Sequence, residues 1–408
     1  MIFNTWAFGL FGTMVVLLYW LAVRHKWRPY FLMLAGTVFY AWAIPVYTLL
    51  IFTLGAITYA TASGLLTIPS DRRRLRITVA AVGIAASVGA LAFFKYGKLF
   101  SGAFNLHGFP AIAVPLAISF FTFEFVHFLT DVYLGKITSI SPRDFALFTL
   151  FFPTMIAGPI KRYEQFTPQI AHETFSTDLF VSATYRIALG LAKKSIIADS
   201  MTPLTMPLLQ PVASANSGDY IIAILAYTAK IYFDFTGYSD IAIGVATLLG
   251  YRVPENFDRP YRAASIADFW RRWHMSLSSW IRDYLFIPLG GSRKNPLRTV
   301  ANLGLVMAVA GLWHGAAWHF VVWGLWHGAG LAVHRTWSWL TRLKPNLSME
   351  RSMLRRFGAT ATTFAFVALG WVLFASPTIE MAGHVYRGLI SATAGATTPG
   401  SRSFDAHR

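Results

Sequence analysis

Residues 220–249 read YIIAILAYTAKIYFDFTGYSDIAIGVATLL, thirty residues in which only Lys230, Asp234 and Asp240 are charged. About 20 predominantly apolar residues cross a bilayer as a helix, so the stretch is long enough to span one. Two acids inside such a run are expensive unless they are paired or face a polar path. They read either as partners of Lys230, Arg271 or Arg282, or as the lining of an internal passage. Similar runs recur at 6–23, 30–43, 47–67, 77–94, 110–129, 145–160, 179–197, 299–313, 316–333 and 357–374. Run 145–160 and others are short or broken by Pro115, Pro153 and Gly158-Pro159, which suits re-entrant segments. The reading is an all-α polytopic membrane protein.

Composition agrees. Of the 408 residues 55% are hydrophobic and only 13% charged, about half the share a soluble chain carries. Cysteine is absent, which excludes disulfides, thiolate nucleophiles, Cys-ligated zinc and iron–sulfur clusters. Thirty-five Lys+Arg against 18 Asp+Glu leave a formal charge of +17. On a soluble chain that would suggest nucleic acid, but no base-reading module lies between the runs. The positive-inside rule accounts for the excess.

Run 6–23 has no basic leader and no small-residue cleavage site, so it is a retained span. Basic clusters follow the first run (Arg24, His25, Lys26, Arg28) and the third (Arg72, Arg73, Arg74, Arg76), with none between the second and third. This places both clusters in the cytoplasm and the N-terminus outside. Lys95 and Lys98 then fall outside, snorkelling or tied to a re-entrant segment. Residues 1–391 read as one membrane-embedded domain, with N-terminal helices in 1–100 and a motif-bearing core in 110–376. An Ala/Thr/Gly/Ser-rich tail, 392–408, reads as disordered.

The longest polar stretch, 252–294, is RVPENFDRPYRAASIADFWRRWHMSLSSWIRDYLFIPLGGSRK. Ser265 with Asp268 three residues later resembles a helix-starting capping box. On a helical projection of 265–285, Phe269, Trp270, Trp273, Leu277, Trp280, Ile281 and Tyr284 share one arc, about 120° wide. Asp268, Arg271, Ser278 and Arg282 share another face, and His274 lies at the seam. The expectation is an amphipathic helix lying in the cytoplasmic interface. His274 there is either an anchor residue or a cavity-lining one.

GLWHGAAWH at 311–319 and WHG at 326–328 place His314, His319 and His327 in apolar surroundings. An ionisable residue at membrane depth is by default a functional hypothesis, and an imidazole kept from water favours its neutral, proton-accepting form. No Asp or Glu occurs between Asp283 and Glu350, so neither a local catalytic triad nor a convincing metal site is expected. Trp313 and His314 sit at an expected helix break. His319, His327 and His334 read as packing residues.

These residues resemble a known family. FDFTGYSD…NFDRPYRAASIADFWRRWH at 233–274, followed by GLWHG at 311–315, closely resembles the membrane-bound O-acyltransferases. The likeness is strongest to the branch that acetylates alginate and D-alanylates teichoic acid. FFPTMIAGPIKRYEQF at 151–166 and LAISFFTFEFVHFLTDVY at 116–133 also fit that branch, with Glu124, His127 and Ala375 departing from its pattern. Members of the polysaccharide-acetylating branch continue through further membrane helices.

The resemblance implies a bundle of ten to eleven transmembrane helices with an internal tunnel. It places the catalytic histidine at His314 and the second motif histidine at His274. Asp234, Asp240, Asp268, Arg271, Trp273, Ser278, Arg282 and Trp313 would line the tunnel or hold the donor. No cofactor is expected to stay bound. The donor would be a thioester, acetyl-CoA or an acyl carrier protein, received by Arg271, Arg272, Arg293 and Lys294. The acceptor would be a polysaccharide outside the inner membrane, reached with an extracytoplasmic acetyltransferase partner. Two rivals stand beside it: a transporter or flippase whose Asp234, Asp240 and His314 relay protons, and an inactive scaffold. Transporters often carry an inverted repeat, and none is visible.

Overall fold

A computed structural model describes residues 3–103, 112–170, 172–212, 214–293, 295–341 and 353–395. No strand occurs among them. The helices are α1 (Trp6–Leu21), α2 (Arg28–Ala41), α3 (Val46–Thr67), α4 (Arg73–Leu91), α5 (Gly97–Ala103), α6 (Ile118–Tyr133), α7 (Pro142–Leu150), α8 (Phe152–Met155) and α9 (Tyr163–Phe166). They continue with α10 (Thr177–Leu191), α11 (Met206–Leu209), α12 (Ser217–Leu248), α13 (Ile266–Arg272), α14 (Met275–Ile281), α15 (Pro296–His314), α16 (Trp318–Leu340), α17 (Met353–Ala375) and α18 (Ile379–Gly395). Among the described residues four stretches are long and apolar enough to cross a membrane: Val46–Thr67, Arg73–Leu99, Pro296–His314 and Met353–Ala375. Large apolar side chains face outward around the molecule, among them Trp6, Leu10, Leu21, Leu49 and Phe357, as a lipid-facing surface requires.

Two apolar cores fill the interior. The first takes Tyr19, Phe39, Phe125, Phe148 and Phe152 from the N-terminal half. The second gathers Phe269, Trp273, Trp323 and Trp371. Helix α12 belongs to both, giving Tyr220, Ala223 and Ile224 to the second and Ile241, Val245 and Ala246 to the first. A small cluster of Phe123, Ile160, Leu277, Trp280 and Tyr284 lies apart from both, with Trp313 packed against it. Asp234 and Asp240 do not break α12, which runs unbroken for 32 residues.

Small residues set how closely the helices approach. A Cβ on Gly311 would overlap the carbonyl of Phe320, and one on Gly324 that of Met307, so α15 and α16 touch backbone to backbone. The glycine before Leu312-Trp313-His314 therefore fixes the hairpin that presents the histidine. Three wide π-helical turns, Ala92–Tyr96, Ala192–Ala198 and Arg282–Phe286, each carry charged residues: Lys95, Lys193 with Lys194, and Arg282 with Asp283.

Two sequence expectations are corrected. The stretch 265–285 is not one interfacial helix. It breaks at Trp273, which is extended, and at His274, which is left-handed at φ 44°. Its aromatic arc is buried within the protein, with Trp273 and Trp280 each 4% exposed. The tail expected to be structureless from Ala392 continues as α18 to Gly395; residues 396–408 lie outside the described residues.

Candidate active site

The break between α13 and α14 builds one half of the site. A left-handed non-glycine residue costs about 1–3 kcal/mol and persists only where its surroundings over-determine it. Asn256 supplies that determination. Its carbonyl accepts Met275 N at 2.9 Å, and its Oδ1 accepts Ser276 Oγ at 2.6 Å and Ser276 N at 3.4 Å. His274 Nδ1 lies 3.3 Å from the same Oδ1, while Asn256 Nδ2 donates to Ser239 Oγ at 3.2 Å. Ser276 Oγ accepts Ile160 N at 3.0 Å, tying the network to the loop before Lys161. Because Oδ1 already receives donors, His274 carries its proton on Nδ1. Nε2 is left as an open acceptor, buried and without a hydrogen-bond partner. The ring is 1% exposed, with Phe235 edge-on at 4.7 Å.

The end of α15 supplies the other half. Gly315 turns extended at φ −164°, so α15 stops at His314. The His314 ring is walled by Trp313 at 4.6 Å, Phe374 at 4.9 Å and Trp323 at 5.1 Å. Trp313 lies between the two histidines, 6.0 Å from the His274 ring, and its Nε1 is buried without a partner. Lys95 reaches in from the π turn after α4 to the carbonyl of Trp313 and to Ser119 Oγ at 3.1 Å. Two imidazoles, an indole N–H and an ammonium thus meet in a space otherwise lined by aromatic rings.

Such a constellation sets proton acceptors beside hydrogen-bond donors, with no carboxylate among the groups named, which suits direct acyl transfer. The family model described as MBOAT, membrane-bound O-acyltransferase family, matches residues 112–354, which include both histidines. The chain belongs to the membrane-bound O-acyltransferase family.

Among relatives of this O-acyltransferase, the probable alginate O-acetylase of Azotobacter vinelandii is 35% identical over 94% of this chain and 76% of its own. The peptidoglycan O-acetyltransferase of Helicobacter pylori is 34% identical over 88% of this chain and 73% of its own. The teichoic acid D-alanyltransferase of Bacillus subtilis is 31% identical over 64% and 68%. The chain is accordingly a multi-pass membrane enzyme that transfers acyl groups to oxygen.

The other residues singled out in the sequence lie elsewhere. Asp240 is held by Arg186 Nε at 3.0 Å and Lys193 Nζ at 2.6 Å, and Arg186 also grips Glu255. Asp234 is nearly half exposed and pairs with Lys194 Nζ at 2.9 Å. Both are tied to the α10 side, not to Lys230, Arg271 or Arg282, and neither forms a relay with His314. The transporter reading loses its proton path. Asp268 caps nothing in return for Ser265 and binds Arg272 at 3.0 Å. Arg271 and Arg282 are exposed, while Ser278 Oγ closes the break by donating to the Trp273 carbonyl at 3.1 Å. Trp273 is core, stacked on Phe269 and packed on Trp371. His319 binds the Leu373 carbonyl at 3.0 Å, and His327 is packed among Phe269, Trp270 and Trp323. Lys294 lies outside the described residues.

Sequence reasoning missed Asn256, Ser276 and the inward turn of Lys95. Lys95 does not snorkel away from the body. A lysine at the very end of an apolar run was the available signal. Nothing in the spacing of Asn256 announces its role.

Proposed function

We propose that this enzyme moves an acetyl group from a cytoplasmic thioester, acetyl-CoA or an acyl carrier protein, to hydroxyls of a polysaccharide outside the bacterial inner membrane. The N-terminus is extracytoplasmic, and a separate extracytoplasmic acetyltransferase receives or completes the transfer. The observation that carries this reading is the pair of histidines about Trp313, His274 buried and His314 partly so, within a chain whose relatives are named as polysaccharide O-acetylating enzymes. His314 accepts the proton of the attacking hydroxyl as its oxygen bonds to the acyl carbon. The carbon–sulfur bond breaks and the departing thiolate takes the proton back. Trp313 Nε1 and the Lys95 ammonium provide positive character for the developing oxyanion. His274, fixed by Asn256 in one tautomer, orients the centre and offers Nε2 as a second proton acceptor.

Purified enzyme given an acetyl thioester and an acceptor should turn over the thioester, and His314→Ala should abolish this turnover. A fully folded His314→Ala protein that retains turnover overturns the mechanism.

A further inference from the structure

The helix beyond the family match, α18, forms one wall of a groove whose other wall, around residues 211–220, lies inside the match. Helix α18 packs on the N-terminal end of α12, and the open groove between them holds about 630 Å³, within the usual range of ligand pockets. Asn216, Ser217, Tyr220, His384, Arg387 and Ser391 line it. Tyr220 forms the floor, 3% exposed, with its ring against Gly388, where any Cβ would overlap it. Its hydroxyl shares a hydrogen bond of 3.1 Å with His384 Nε2. Asn216 and Asp219 close a capping box, so the helix amides at Gly218 and Asp219 are already satisfied. Arg387 makes no ion pair through its guanidinium among the described residues, and no Asp or Glu lines the cavity. The cavity therefore offers an unneutralised guanidinium, an imidazole, hydroxyls and a phenol ring.

Its place in the fold adds the second argument. At 1.5 Å per residue α12 is about 48 Å long, more than the hydrocarbon thickness of a bilayer. A smaller cavity of about 250 Å³, lined by Lys161, Arg162 and Arg252, lies beyond the other end of α12. The two cavities thus open at opposite ends of the longest helix. Helix α18 follows α17, whose Phe374 touches the His314 ring.

We propose that the α12–α18 cavity binds a carboxylate-bearing sugar of the acceptor polysaccharide, Arg387 taking the carboxylate in a forked, charge-assisted pair. This rests on the acyltransferase reading above. Uronic acid units and the lactyl ether of muramic acid share this chemistry. Binding is measured with the full chain in lipid nanodiscs, against oligomannuronate, a peptide-free muramic-acid glycan fragment and a neutral cello-oligosaccharide. One acidic glycan should bind, the neutral one should not, and Arg387→Gln should weaken binding at least about tenfold. Which acidic glycan binds names the source. Arg387→Gln should leave the unfolding temperature unchanged. Equal binding by Arg387→Gln, neutral binding as tight as acidic, or no acidic binding at all overturns the proposal. Absence of thioester turnover in the unaltered enzyme would sink the acyltransferase reading instead, while the glycan measurement still stands.

Discussion

Two polar clusters share helices α6 and α14 and the loop around Ile160, yet they are finished differently. In the first, Lys161 is buried against Glu124. Nearby, Tyr284 Oη donates to Asp131 at 2.6 Å and accepts from Arg162 at 2.5 Å, and Arg162 reaches Asp283 at 2.9 Å. Every charge there has a counter-charge. In the second, the buried His274 Nε2 and Trp313 Nε1 are left open, and the partly buried His314 ring is met by the rings of Trp313, Trp323 and Phe374. Buried polar groups are normally satisfied, and although His327 and Glu173 are also left open, here the open groups converge with a second imidazole around one indole. The first cluster is architecture, and the second is where an incoming hydroxyl and thioester would complete the hydrogen bonds.

The contrast predicts opposite responses to mutation. His314→Ala should lower acyl transfer by about 10²–10⁴-fold and leave the unfolding temperature in detergent essentially unchanged. Lys161→Met should do the reverse in kind. It strands the Glu124 carboxylate, which costs about 3–5 kcal/mol, and most of that loss should return in Lys161→Met/Glu124→Leu. Thermal unfolding of the three variants checks this. If His314→Ala unfolds as early as Lys161→Met, the division between architecture and chemistry is broken.

Asn256 stands on the border between the two kinds. It is fully satisfied, like the first cluster, but what it holds is the His274 ring. Asn256→Ala should cost about 1–3 kcal/mol for the buried donors it strands at Ser276 and His274. It should also lower kcat more than it raises KM, and shift the pH profile of kcat, because the tautomer of His274 is released. A stability loss with kcat and pH profile intact would reduce Asn256 to packing.

How much of this was legible follows from the same distinction. The apolar runs at 47–67, 299–313 and 357–374 fell on helices because burial in lipid or core needs only the right residue types in sequence order. GLWHG and DFWRRWH marked the histidines because local motifs carry local chemistry. The break at His274 was not legible. A projection at 100° per residue assumes the helix continues, and what stops it is Asn256, eighteen residues upstream. The aspartates were misplaced for a related reason: α12 pairs with α10, and Arg186, Lys193 and Lys194 are far from Asp234 and Asp240 in sequence. Long-range partners decide such roles, and one sequence records the residues without recording who meets whom.

The smallest effect concerns the outer edge of the first cluster, at Asp283, outside the membrane-crossing helices. Burial alone would raise its carboxyl, but the hydrogen bond and charge of Arg282, then those of Arg162, hold it below the ordinary carboxylate range. A carboxyl whose folded value is depressed contributes stability that is fully present above its unfolded value. That contribution fades as the pH falls below the unfolded value and is gone once the pH is under the folded one. Arg282 is largely exposed, so the pair is worth under about 1 kcal/mol and is screened by salt. Urea unfolding of the enzyme and of Asp283→Asn should therefore differ slightly at pH 7 and converge as the pH falls through the carboxylate range, with the difference at pH 7 shrinking as salt is added. Curves that stay parallel across that range would show that Asp283 is not held by its arginines in solution, and that the satisfied cluster ends at Arg162.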